Sequence, residues 1–182
     1  MEAKRQTLDV GGPALVAAAR ALSQVFAAGG RLLTMGNGGS SCDAAHVAVE
    51  FMHPITVGRR ALPALQLADM PMITAVGNDV GFDQVFARQL LAHGRKGDAL
   101  LGLSTSGNSE NLLEAFRVAS SQGLVTMGFT GGDGGRMATS EHVQHVVRVP
   151  SPSVHRVQEG HLVAYHVLWD LVHTLLAHEE AP

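Results

Sequence analysis

Apolar residues in this chain alternate between two patterns. Short apolar runs at 31–35 (RLLTM), 62–67 (LPALQL), 98–103 (DALLGL), 125–129 (VTMGF) and 143–149 (VQHVVRV) read as strands. Longer stretches at 13–28, 40–53, 82–93, 109–121 and 154–178 carry apolar residues at helical spacing, and 71–76 reads as a short helical turn. Punctuation supports several of these boundaries. The first helix is expected to open at Pro13 and close at Gly29-Gly30, the second to be N-capped by Ser40 or Ser41, and the fourth to end at Gly94. Pro63 pushes its strand towards an edge or a first position, because it cannot donate to the ladder. Most of the strands lack polar alternation and are separated by helices. That is the pattern of a parallel sheet covered on both faces.

Composition narrows the picture. At 182 residues the chain suits one domain, 1–182, able to bury a core without staples. With 46% hydrophobic and 16% charged residues it is not a disordered chain. A net charge of −3 offers no basic face for a nucleic-acid backbone, and 4% aromatic residues offer few stacking platforms for single strands. Cys42 is the only cysteine, which excludes a disulfide framework and suits the cytoplasm. The N-terminus leads into no leader with a cleavage site, and no uninterrupted apolar run of membrane-spanning length occurs, so no membrane partner is expected. The 21 glycines cluster at 36–39, 77–81, 102–107 and 131–135, each near the end of an apolar run. Such clusters mark turns where backbone must approach something closely. In a parallel sheet, ligands bind beyond the carboxyl ends of the strands, and these segments fall there.

Two of the loops can be read for chemistry. The segment 102–109 (GLSTSGNS) closes an apolar strand and opens a helix. Its hydroxyls, on Ser104, Thr105, Ser106 and Ser109, converge with the unpaired amides and positive dipole of a helix start, which favours a phosphate. It has no lysine and is no ATP-hydrolysing loop. The segment 36–41 (GNGGSS) superficially resembles a dinucleotide loop, but Ser41 stands where the last glycine would be. No acidic residue closes the next strand, so no nucleotide cofactor is expected.

Two helices could carry reactive groups. His46 and Glu50 lie four residues apart, about 40° apart on one helical face. Such a pair can bind a divalent metal, or set a proton-transfer base beside an imidazole; on a surface it is merely an i,i+4 pair. The last helix carries Gln158, Glu159, His161, His166, His173 and His178. Gln158 and His166 are separated by roughly 80° and about 12 Å of rise, a poor ligand pair by spacing alone. His46 and His166 are assigned to chemistry, and the remaining histidines to packing or solvent.

Together the segments GNGGSSCDAAHVAVE, VGNDVGFDQVFARQL, GDALLGLSTSGNS, TGGDGG and RVQEGHLVAYHVLWDLVH resemble the sugar isomerase (SIS) domain, and within it the phosphoheptose isomerase family. The resemblance runs in order from about residue 13 to 178. It implies a three-layer αβα sandwich with a parallel, flavodoxin-like sheet, and a homo-oligomer, with a tetramer favoured over a dimer, whose active sites lie at subunit boundaries. The implied activity is the aldose–ketose isomerisation of sedoheptulose 7-phosphate through an enediol. By the same resemblance Glu50 is the base and His166 its partner. Ser104, Thr105, Ser106 and Ser109 hold the phosphate, and Asn37, Gly38, Gly39, Ser40, Glu50, Asn78, Asp79 and Gln158 contact substrate. His46, Glu50, Gln158 and His166 match the family's zinc ligands. Two departures stand out. The chain starts closer to the glycine loop than is usual, so part of the helix that helps assemble the family's tetramer is expected to be missing. An active-site arginine of the family is replaced by Pro54, with Arg59 or Arg60 as its candidate substitutes. The alternatives are a SIS-domain protein that binds a replication initiator, a sensor of sugar phosphates, and an isomerase of another sugar phosphate.

Overall fold

A computed structural model describes residues 2–179, with side chains from 5 to 178. Five strands, β1 (Leu32–Gly36), β2 (Ala64–Gln66), β3 (Ala99–Ser104), β4 (Val125–Gly131) and β5 (His145–Val149), form one sheet in the order β2-β1-β3-β4-β5. Every pairing is parallel. This is the flavodoxin-like order, with its reversal between β1 and β3. Register sets Gly36 against Leu103 and Ser104 against Thr130, so the carboxyl ends of the three central strands share one rim. β2 sits at the edge, as Pro63 requires, and Pro63 itself precedes the strand and contributes only its carbonyl, to the Leu32 N–H.

Helices α1 (Glu2–Ala27), α2 (Gly39–Met52) and α7 (Val154–Glu179) cover one face of the sheet, burying Leu32, Leu101, Phe129 and Val147. Helices α3 (Met70–Asp79), α4 (Val85–His93), α5 (Glu110–Gln122) and α6 (Gly135–Thr139) cover the other over Leu33, Met35 and Leu100. Adjacent residues such as Leu100 and Leu101 point into opposite layers, and both are fully buried. Two covered faces explain why these strands read as unbroken apolar runs.

Several boundaries differ from those the sequence predicts. Helix α1 does not open at Pro13 but runs through Gly11-Gly12-Pro13 from Glu2. An interior proline costs a helix about 3 kcal/mol. Pro13 itself is exposed, whereas Thr7 and Gly11 are buried, with Gly11 close against Val147 of β5 and Thr7 beside Gly160 of α7. Burial on both partners offsets the proline. The stretch Arg5–Ala27 is also long and apolar enough to cross a bilayer by length and composition, yet its stripe of Leu15, Ala18, Leu22 and Phe26 packs into the core. Helix α3 extends past 71–76 to Asp79, capped by the Asp69 carboxylate, which accepts from the Met72 N–H at 2.8 Å. The 82–93 stretch divides into a 3₁₀ turn, Phe82–Gln84, and α4. Helix α6 was not expected from the sequence; its glycines masked it. The cap of α2 is Gly38, in a backbone conformation with φ of 55°, and not Ser40 or Ser41.

Two histidines assigned to packing are core residues of α7. His161 is fully buried against Phe129, and burial, only partly opposed by the Thr130 backbone, lowers its pKa to about 4. His173 lies between Phe51 and Trp169; burial first, then Arg59 and Arg60, lower its pKa to about 4. Both rings are neutral when folded and free to take a proton when unfolded. The unfolded state therefore binds more protons as pH falls from about 6.5 towards 4, and each ring withdraws up to about 1.4 kcal/mol of stability per pH unit across that window. Urea unfolding at pH 7 and pH 5 is expected to show the parent losing more stability than His161→Met. An identical loss in the two proteins would contradict the buried neutral assignment.

Candidate active site

The carboxyl ends of β1 and β3 release the two loops singled out above. After β1, the backbone turns through Asn37-Gly38-Gly39 into α2, with the Ser40 N–H donating to the Asn37 carbonyl. After β3, residues 105–109 lead into α5, whose N-cap is Ser109. The loops are tied together. The side-chain amides of Asn37 and Asn111 exchange two hydrogen bonds of 2.9 Å, and Asn111 is buried. A reciprocal pair satisfies each amide and fixes the spacing of the loops across the switch point. Asn37 thus spends its amide on the frame of the site.

Within the second loop the hydroxyls form a local cradle. Ser104 Oγ accepts from the Gly107 N–H at 3.1 Å and pairs with Ser109 Oγ at 3.1 Å, while Ser106 Oγ accepts from the Asn108 N–H at 3.2 Å. The Ser109 hydroxyl does not cap its own helix; the Leu112 N–H is held by the Ser109 carbonyl and Asn111 Oδ1, so the amides that face an incoming acceptor are those of Glu110 and Asn111. Gly107 has φ of 66°, and a Cβ there would strike the carbonyl of Gly134. Only glycine lets this turn nest against the 131–135 loop. Beside Thr105 and Ser106 a cavity of about 250 Å³ opens against Gly131, Gly132, Ser151 and Val157.

The reactive cluster comes from α2 and α7. These helices run side by side in the same direction: Gln158 lies over Gly39, Tyr165 and His166 against His46, Trp169 against Glu50 and His173 against Phe51. The Gln158 amide occupies the place a Cβ on residue 39 would take, so a larger residue there would push that side chain aside. His46 Nε2 lies 3.1 Å from Glu50 Oε1, and its Nδ1 lies 2.8 Å from the Tyr165 hydroxyl. The His46 and His166 rings meet edge to face at 5.3 Å. One ligand atom from each of His46, Glu50 and His166 lies within 4.8 Å of the others. Two imidazoles and a carboxylate converging so closely suit a divalent cation, or a base with two proton-carrying rings.

Three residues of this region were not foreseen. Trp169 donates from Nε1 to the Glu50 carbonyl at 2.8 Å, fixing the last turn of α2 that carries the carboxylate. Asp43, three residues before His46, holds one carboxylate oxygen buried and unpaired; burial raises its pKa against the opposing pull of His46. Tyr165 has its pKa raised by burial, then by Asp43 and Glu50. Asp43 could have been found as the acidic residue at i−3 from His46; nothing in the sequence marks Tyr165 beyond its place beside His166.

The other expected residues are placed less decisively. Asn78 and Asp79 end α3, exposed and hydrogen-bonded to each other. Pro54 follows α2, half-buried. Arg59 is committed elsewhere: its guanidinium meets Asp170 at 2.6 Å and stacks 4.9 Å over Trp169.

Comparisons with known proteins agree with this geometry. A family model for the SIS domain matches residues 4–131. The chain is 42% identical over 180 residues to the phosphoheptose isomerase of Roseiflexus sp. (strain RS-1), covering 98% of this chain and 90% of that one. It is 50% identical over 151 residues to that of Desulfovibrio desulfuricans, covering 82% and 71%. The structure of a phosphoheptose isomerase from Francisella tularensis superposes with a TM-score of 0.89 at 36% identity, over 95% of this chain and 92% of that one. Matches of this extent, with the loops and the α2–α7 cluster in place, show that the chain belongs to the SIS domain family and, within it, to the phosphoheptose isomerases.

Proposed function

We propose that this isomerase converts sedoheptulose 7-phosphate to D-glycero-D-manno-heptose 7-phosphate. The observation that carries the reading is the convergence of His46, Glu50 and His166 in a chain whose β1–β3 switch point carries the hydroxyl-rich loop. Names of relatives supply the substrate; the site supplies a chemistry that fits it. Neither the initiator-binding nor the sensor alternative is favoured, since the named relatives at this identity are isomerases. The lone, exposed Cys42 fits a reducing, cytoplasmic setting.

The reaction moves one proton from C1 to C2 and another from the C1 hydroxyl to the C2 oxygen. Glu50 removes the C1 proton, leaving an enediol, and returns a proton at C2. His166, exposed beside it, exchanges the proton between the oxygens. Ser104, Thr105, Ser106 and Ser109, with the first amides of α5, hold the phosphate, and that anchorage orients the distant carbonyl carbon. Gly38, Gly39, Ser40 and Gln158 line the approach, with Asn37 held by Asn111; Asn78 and Asp79 complete the sugar contacts. His46, Glu50 and His166 would hold zinc, which when bound would polarise a carbonyl oxygen, whereas Gln158 lies over Gly39, about two turns from that cluster. The donor set fits, since imidazole nitrogens and a carboxylate are ordinary zinc ligands. The active assembly is a homo-oligomer, with a tetramer favoured.

Glu50→Gln keeps size and the helix intact. It is expected to lower kcat at least about 10²-fold, the scale of a lost general base, while binding of the sugar phosphate and Tm change little. Proton NMR time courses check the rate, and a variant within about threefold of the parent would remove Glu50 from the base role. Ser104→Ala combined with Ser106→Ala is expected to raise KM for the phosphorylated sugar more than it lowers kcat; an unchanged KM would reject the phosphate loop. Light scattering is expected to show no active monomer, since the family's sites draw on neighbouring subunits.

A further inference from the structure

Helix α2 ends at Met52, two residues after Glu50. The last carbonyls of a helix have no amide of their own helix to accept from. Here the His53 N–H still reaches the Val49 carbonyl at 2.8 Å and closes the regular ladder. The next amide in line, for the Glu50 carbonyl, would come from position 54, and Pro54 has none. The Glu50 carbonyl accepts instead from Trp169 Nε1 of α7 at 2.8 Å. The Phe51 carbonyl accepts from the Leu62 N–H, also at 2.8 Å. The turn that carries the Glu50 carboxylate is thus closed from outside its own helix.

An indole can serve this way only while its ring is held. Trp169 is half-buried, with the His173 ring 4.8 Å away and the Arg59 guanidinium 4.9 Å over the indole. Arg59 is fixed as a fork on Asp170, the residue after Trp169. Its Nη2 donates to Asp170 Oδ1 at 2.6 Å and its Nη1 to the Asp170 carbonyl at 3.1 Å. The Arg59 side chain is only 20% exposed, although residues 55–58 between it and Pro54 stand in solvent. A planar, delocalised cation suits both contacts, since it stacks on the ring while its edge donates. One short loop therefore withholds an amide from Glu50 at Pro54 and, at Arg59, steadies the group that replaces it.

We propose that Arg59 and Trp169 are positioning residues for Glu50: the indole N–H stands in for the helical amide that Pro54 lacks, and Arg59, anchored on Asp170, holds the indole at the carbonyl. Both act through the backbone of residue 50, so the kinetic consequence rests on the reading of Glu50 as the base.

The test places Trp169→Phe, which keeps an aromatic face for Arg59 but removes the N–H, in the parent and in a Pro54→Ala background, where position 54 regains an amide. In the parent it is expected to lower kcat at least about tenfold, within the roughly 10²-fold that a 1 Å misplacement can cost, while KM stays within about twofold because the phosphate is held on α5. With Pro54→Ala present, the same substitution is expected to cost less than about threefold, the signature of two groups serving one carbonyl. Hydrogen exchange gives a readout independent of activity. The His53 amide, whose bond closes α2, is expected to exchange faster in Trp169→Phe and to return towards the parent rate in the double variant, with β3 unchanged. A Trp169→Phe variant with kcat within about threefold of the parent, or an equal loss in both backgrounds, would overturn the proposal. Tryptophan packing alone would weaken both backgrounds alike. Should Trp169→Phe fail to fold, Arg59→Met, which frees the ring and leaves both helices intact, carries the same expectations and the same threshold. If Glu50→Gln keeps the parental rate, the base reading fails, and exchange at His53 still decides whether the indole closes the turn.

Discussion

The site depends on one packing arrangement: α2 and α7 lie side by side and run the same way. Because the rise per residue is equal in both, matched spacings keep meeting along the pair. Gln158 reaches Gly39, His166 reaches His46, and Trp169 reaches Glu50. The eight residues between Gln158 and His166 span almost the same rise as the seven between Gly39 and His46, so Gln158 stays with Gly39, about two turns from the cluster that His166 joins. The missing side chain at Gly39 is part of the arrangement, since it lets the Gln158 amide come down onto the loop.

The sheet supplies the second constraint. Helices on both faces bury β1, β3 and β4 almost completely, so their side chains are committed to the two cores. Chemistry is left to the rim where the strands end. There the reversal of strand order between β1 and β3 separates the two loops, and the Asn37–Asn111 pair sets the gap. The phosphate cradle lies at this rim, at the start of α5, and the proton-handling cluster lies further along α2, against α7.

Buried polar groups on α2 and α7 divide into two kinds. Asp43 lies within electrostatic reach of His46 and Tyr165, at the reactive cluster. His161 and His173 instead sit among aromatic rings, where only the neutral form is tolerated, and they tie stability to pH without taking part in the reaction. The same residue type therefore does opposite work on successive turns of one helix, according to whether a carboxylate or a phenyl ring faces it.

The fold class was legible in the sequence because apolar runs without alternation report burial on two faces, a local pattern with a direct physical cause. The loop of Ser104, Thr105, Ser106 and Ser109 was legible for a similar reason: hydroxyls and glycine at a strand-to-helix junction are a local anion site. So was the His46–Glu50 pair, at one helical spacing. Contacts between distant segments were not. Pro13 reads locally as a helix start, and only the docking of Thr7 and Gly11 on α7 and β5 carries α1 past it. Ser40 reads as a cap, yet the close turn at Gly38 takes that place. Tyr165 looks like one more apolar-face residue of α7 until α2 brings Nδ1 of His46 to its hydroxyl. Local propensity and periodicity determined which elements form and which residues could react; the tertiary structure decided which of those residues meet, because the pairing of two helices and two loops is a property of their shared packing and is written in neither segment alone.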